Sequence, residues 1–209
     1  NGNLYIVWAN VGVPGINTGT DVDVYLIRST NGGTTWSAPI KVNQDPSGLG
    51  KKHYFPWITC DPATGNLSVI SYDNRNVART QVEVFVADST DAGNTWVDFK
   101  VSDNSFTPAP IPGLASGYFG DYLGISTRNG KVYPVWTSNH TGQPLAYTSP
   151  FDFEVSDQVV ITRALFFNKS SLLLVVATSS AAPGAALFLT VDGCVDAVPM
   201  IFNPSKGTY

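Results

Sequence analysis

Apolar and polar residues alternate along much of this chain with a period of two. In VEVFVAD (82–88), Val82, Val84 and Val86 fall on one face of an extended segment and Glu83 and Phe85 on the other; DVYLIRS (23–29) alternates likewise. No stretch carries a helical stripe of useful length, so the pattern predicts an all-β protein. The middle of the chain is the most complete set. YFPWITC (54–60), NLSVISY (66–72), VEVFVAD (82–88) and TWVDFKVS (95–102) read as four successive antiparallel strands.

These sets recur. NGNLYIVWAN (1–10), TGNLSVISYDN (64–74) and NGKVYPVWTSN (129–139) each place a turn glycine before an alternating strand. STNGGTTW (29–36) returns as STDAGNTW (89–96), about 60 residues later. A four-stranded sheet repeated along a chain is the blade of a β-propeller, and propellers take roughly four to eight blades. About three are legible here. The first copy lacks its opening strand, and the third, with DYLGIST (121–127), KVYPVWTS (131–138) and LAYTS (145–149), shows no fourth. The expectation is a partial propeller over residues 1–150, completed by upstream blades or by other chains. After SPFDFEVSD (149–157) the pattern changes. QVVITRALFF (158–167), SLLLVVATSS (171–180), AALFLTV (185–191) and AVPMIF (197–202) predict a small Ig-like β-sandwich module over 151–209.

Composition narrows the function. Hydrophobic residues make up 43% and charged residues 13%, which suits a folded chain and excludes disorder. The formal charge of −4, with no run of Lys or Arg, excludes a nucleic-acid partner held through phosphates. The longest apolar run, LLLVVA (172–177), is too short to span a bilayer. Few Lys and Glu among many Thr, Ser and Asn point to an extracellular or cell-surface location. The two cysteines, Cys60 and Cys194, lie far apart and read as separate buried thiols, a bridge being the alternative.

The repeated octapeptide makes sense as a tight turn. The Asp91 carboxylate can accept backbone N–H groups, Gly93 can take positive φ, Ser89 and Thr95 can tie down the ends, and Trp96 can pack beneath. In the first copy, Ser29, Gly33, Thr35 and Trp36 repeat the set and Asn31 stands in for the aspartate. S-x-D-x-G-x-T-W is the Asp-box, and the chain resembles the sialidase-like Asp-box (BNR-repeat) β-propeller proteins of the secreted, Bacteroidetes-type bacterial kind. HYFPWITCDPATGNLSVISYDNRN (53–76) and GYFGDYLGISTRNGKVYPVW (117–136) carry the same resemblance, which covers roughly residues 1–150. It implies that the boxes lie on the propeller rim and are structural.

A sialidase of that family would need an arginine triad for the substrate carboxylate, a tyrosine nucleophile with a glutamate beside it, and an aspartate acid/base. The only glutamates are Glu83 and Glu154, neither well placed for this. Arg75, after a second strand, is the arginine expected to reach the axial face. Asp121 in FGDY, expected to open an innermost strand, reads as a catalytic or ligand-binding carboxylate, as a calcium ligand, or as a cap on backbone N–H groups. Asp73, Tyr122 and His140 are candidate ligand-binding residues, and Asp61 is expected on the same face as Asp73. Asp21 and Asp23 in TGTDVD are candidate calcium ligands. The leading expectation is a secreted or surface-displayed propeller that binds a glycan or other cell-surface ligand. An exo-sialidase-type glycoside hydrolase with catalytic parts upstream, and a structural subunit of an extracellular assembly, are the alternatives.

Overall fold

The computed structural model describes residues 2–16, 18–153, 159–167, 172–179, 187–189 and 198–209. Two compact units divide the chain, Asn1–Phe153 and Glu154–Tyr209. All the regular structure described is antiparallel strand, and no closed propeller is seen.

The first unit holds three meandering sheets. Sheet one is β1 (Leu4–Val11), β2 (Val22–Ser29) and β3 (Ile40–Lys41), in that order. Sheet two runs β4 (His53–Cys60), β5 (Leu67–Asp73), β6 (Glu83–Ser89) and β7 (Val97–Lys100). In sheet three, β9 (Lys131–Ser138) pairs with β8 (Gly124–Arg128) on one side. On the other side it pairs with β10 (Leu145–Thr148) and β11 (Phe151–Asp152). The register from Leu145↔Ser138 to Asp152↔Lys131 lies on one line, so β10 and β11 are a single strand interrupted at Ser149–Pro150. Proline has no N–H to give the ladder. The β8–β9 hairpin turns on Asn129 and Gly130, with φ of 53° and 77°, the geometry an Asn-Gly pair is suited to.

The cores lie between the sheets. Leu67, Val69 and Ala87 of sheet two pack with Val24, Leu26 and Val42 of sheet one. Ile70, Tyr72, Val84 and Val86 pack instead with Ile125, Val132 and Trp136 of sheet three. Sheet two is therefore covered on both faces, which is why every residue of β5 is buried, polar Ser68, Ser71 and Asp73 included. Alternation in a strand normally marks one wet face; here Glu83 and Phe85, opposite the valines, are buried too.

The two octapeptides each join the last two strands of their sheet, β2 to β3 and β6 to β7. In the second, Gly93 N–H donates to Ser89 Oγ at 2.9 Å. Asp91 Oδ1 accepts the N–H of Asn94 at 3.0 Å and of Thr95 at 2.9 Å, while Asp91 Oδ2 accepts the Thr95 hydroxyl at 2.7 Å. In the first, Asn31 Oδ1 accepts Thr35 N–H at 2.9 Å, but its Nδ2 donates to Thr35 Oγ1, reversing that bond. Trp96 is 6% exposed because sheet one covers it; Trp36, on the uncovered side, is 38% exposed. Arg28 Nη1 donates to Ala92 O at 2.8 Å and its Nη2 to Asn94 Oδ1, tying sheet one to the second octapeptide.

Sheets two and three are stapled in the same way. Asp61 accepts Gly130 N–H at 2.7 Å and Ala63 N–H at 2.8 Å. Burial pushes its carboxyl up, but these backbone bonds outweigh it and hold it below the usual range. Tyr72 donates to Thr137 O at 2.8 Å. Asp61 follows β4 and Asp73 ends the antiparallel β5, so they sit at opposite ends of the sheet rather than on one face. Cys60 is exposed, not buried; Cys194 and Glu154 lie outside the described residues.

In the second unit, β12 (Val159–Phe167) pairs with β13 (Leu172–Ser179), and β14 (Phe188–Leu189) with β15 (Val198–Pro199). Ala177 and Tyr209 exchange backbone hydrogen bonds of 3.2 and 2.9 Å, which ties the last residue to β13. These are two-stranded pairings; a sandwich of facing sheets is not seen among the described residues.

Candidate functional site

Three residues singled out in the sequence, Asp23, Asp73 and Arg75, do meet, but in a buried ionic network between sheets one and two. His53, fully buried, stands at its centre. Its Nδ1 lies 2.9 Å from Val22 O. Its Nε2 lies 3.2 Å from Asp45 Oδ1 and 3.3 Å from Asp73 Oδ2, shared between the two carboxylates and aimed squarely at neither. Burial disfavours the imidazolium, but Asp23, Asp45 and Asp73 outweigh it and raise the His53 pKa to about 11. Burial likewise opposes the Asp45 carboxylate, and His53 and Asn43 overcome it and hold Asp45 well below the usual range.

Arg75 was expected to reach an axial face. Its guanidinium instead lies over the Phe85 ring, 4.3 Å from the centroid, and pairs with Asp73 at 2.7 Å and Asp98 at 2.5 Å. It is not free to clamp a substrate carboxylate, and Asp73, fully buried, is out of a ligand's reach. The calcium expectation fails on the donor set. Asp21 accepts the N–H groups of Gly48 and Gly50, which makes it a loop clasp. Asp23, Asp45 and His53 have the residue types and closeness of a metal group. However, Asn43 Nδ2 already lies 2.7 Å from Asp23 Oδ1 and 2.6 Å from Asp45 Oδ1. Its amide is oriented by Val24 N–H, which donates to Asn43 Oδ1 at 2.8 Å. Lys41 Nζ adds a cation 3.3 Å from Asp23. Calcium takes oxygen ligands, and here N–H donors and cations fill the position.

Asp121 and Tyr122 are exposed and precede β8, which begins at Gly124; Asp121 does not open a strand. Phe119 packs against Tyr72 and Phe106, and Gly120 lies over Thr137 with φ of 111°, so a side chain there would press on the Thr137 hydroxyl. Burial, then the Asp121 carboxylate, push the Tyr118 phenol up. No contact joins Asp121 to Arg75 among the described residues.

His140 lies in a different place, a cleft of about 180 Å³ between sheets two and three. One wall is aromatic. In β9, Val132, Pro134, Trp136 and Ser138 point inward. The connection to β10 turns at Gly142, whose N–H donates to Asn139 O at 2.9 Å. This turn sets the His140 ring 4.6 Å from the Tyr147 ring, which lies 6.5 Å from Trp136 at an interplanar angle of 26°. The Ser138 hydroxyl lies 3.0 Å from His140 Nδ1, and the Thr141 hydroxyl 3.2 Å from the Tyr147 oxygen.

The other wall follows β7. Val101 N–H donates to Val84 O at 2.9 Å, and Ser102 Oγ accepts Val84 N–H at 2.9 Å, which pins the segment. Asp103 and Asn104 are left exposed on the rim. Aromatic faces opposite fixed polar groups can stack on an apolar ring face and hydrogen-bond its hydroxyls. Asp103 and Ser102 were not identified as site residues in the sequence. Only the three-dimensional approach of residues 101–104 to 136–149 reveals them.

No protein-family model matches the chain, and no curated protein matches it. Among solved structures, the microbial sialidase Hz136 of Hadza origin is similar over 70% of this chain at 16% identity and a TM-score of 0.47. The chain spans about a third of that structure's length, 32%. A likeness this low carries no argument, and the reading of the site rests on its own geometry.

Proposed function

We propose that this chain is a glycan-binding protein of the Asp-box, sialidase-like propeller kind, acting outside the cell or at its surface. Its binding site is the cleft between sheets two and three. The observation that carries the reading is the pairing of the His140, Tyr147 and Trp136 rings with a polar rim of Asp103, Asn104 and Ser149.

Binding without hydrolysis fits the groups present. Most glycosidases set two carboxyl groups roughly 5–9.5 Å apart across the scissile bond. Among the described residues, the lining supplies one carboxylate, Asp103. The Tyr147 oxygen lies 3.2 Å from the Thr141 hydroxyl, which is no base to draw its proton.

A glycan array on the full chain, with a fluorogenic sialoside assayed in parallel, tests this. Glycan binding without turnover, weakened about tenfold in Tyr147→Ala, is expected. Turnover that depends on Asp121, or silence on the array, overturns it.

A further inference from the structure

The lining of the cleft also restricts which sugars it accepts. We infer, resting on the glycan-binding reading, that the site takes neutral sugars and discriminates against acidic ones such as uronic or sialic acids. Three observations carry this. Among the described residues, no lysine or arginine lines the cleft. The Asp103 carboxylate stands exposed on the rim and makes no ion pair or hydrogen bond among the described residues. The nearest charged residue along β7, Lys100, is turned to Glu83 at 3.2 Å and is not among the lining residues.

A carboxylate ligand is recognised by guanidinium or ammonium groups, bidentately where geometry allows. With none among the described lining residues, an acidic sugar in this cleft meets hydroxyl, amide and imidazole groups and one like charge. Like-charge repulsion and incomplete replacement of its hydration both oppose binding. An unpaired carboxylate is, by contrast, a strong acceptor for neutral ring hydroxyls. The overall charge of −4 adds a weak field of the same sign.

Pairs of methyl glycosides that differ only in CH2OH against COO− isolate the effect: methyl glucoside against methyl glucuronide, and methyl galactoside against methyl galacturonide. Saturation-transfer NMR on the full chain at pH 7.5 and low salt measures each affinity. At least one neutral member is expected to bind roughly tenfold tighter than its uronide. Asp103→Asn should narrow that ratio to about threefold or less, and added salt should narrow it further in wild type. Uronides that bind as tightly as their neutral partners, or a ratio unchanged in Asp103→Asn, overturn the selectivity while leaving glycan binding intact. No binding by any of the four overturns the glycan-binding reading itself.

Discussion

Replacing His53 with glutamine tests the buried network that joins sheets one and two. Glutamine keeps a side-chain donor but removes the charge, so Asp23, Asp45 and Asp73 lose a cation that lies within 3.2 to 3.4 Å of each. Breaking a buried ion pair from one side costs about 3–5 kcal/mol, and Arg75 and Lys41 remain to moderate it, so the lower end is expected. The pH dependence is more diagnostic than the size. The folded pKa of His53 is raised to about 11 from 6.5, so its contribution is fully present below pH 6.5 and is lost as pH rises towards the folded value. Wild type should lose roughly 1.4 kcal/mol per pH unit above 6.5, or about 2–3 kcal/mol by pH 8.5. Urea unfolding followed by fluorescence of the five tryptophans at several pH values measures this. His53→Gln should lack that slope. Wild-type stability that stays flat between pH 6.5 and 8.5, or a variant with the same slope, would refute a buried imidazolium.

The octapeptide turns yield three further predictions. Asp91→Ala removes an acceptor of two N–H groups and two hydroxyls, and should cost about 1.5–3 kcal/mol in urea unfolding at pH 7. Although burial pushes Asp91 up, its bonds to Thr95 and Ser89 lower it overall. The difference between wild type and Asp91→Ala is therefore present above pH 3.8 and shrinks as the medium is acidified below it. Gly93→Ala should destabilise more than Gly32→Ala in the same assay. Both have positive φ, but a Cβ at Gly93 would lie 3.3 Å from Leu26 and 3.4 Å from Leu67, whereas that at Gly32 meets open space. Arg28→Ala, which releases the second turn from sheet one, should cost about 1 kcal/mol in unfolding and raise amide exchange at Asn94 and Thr95.

What could be read from the sequence was local. The octapeptide turns are written in residues that bond within eight positions, so Ser89, Asp91, Gly93 and Thr95 announce their geometry. The Asn-Gly turn at 129–130 does the same. Alternation located β6 and its two faces but could not tell that both are buried, because burial of Glu83 and Phe85 depends on neighbouring sheets. Nothing in HYFPWITC announces the bulge in β4, where Phe55 takes φ of 55° just before a proline. His53 carried no signal either, since its partners come from positions 23, 45 and 73 on three separate segments. His140 was singled out, but Tyr147 and Asp103 beside it in the cleft were not. The rim residue Asp103 belongs to another sheet's trailing segment and meets β9 only through tertiary packing. Arg75 and Asp73 misled because buried ion pairs and accessible binding groups use the same residue types.

Where a sugar sits separates the cleft from Asp121 as the binding site. A two-dimensional amide NMR titration of the full chain with methyl galactoside measures that directly. Shifts confined to residues 102–104 and 138–148, and greatly reduced in Tyr147→Ala, are the predicted result. Shifts centred on Asp121 and Tyr122, with the cleft amides unmoved, would contradict it.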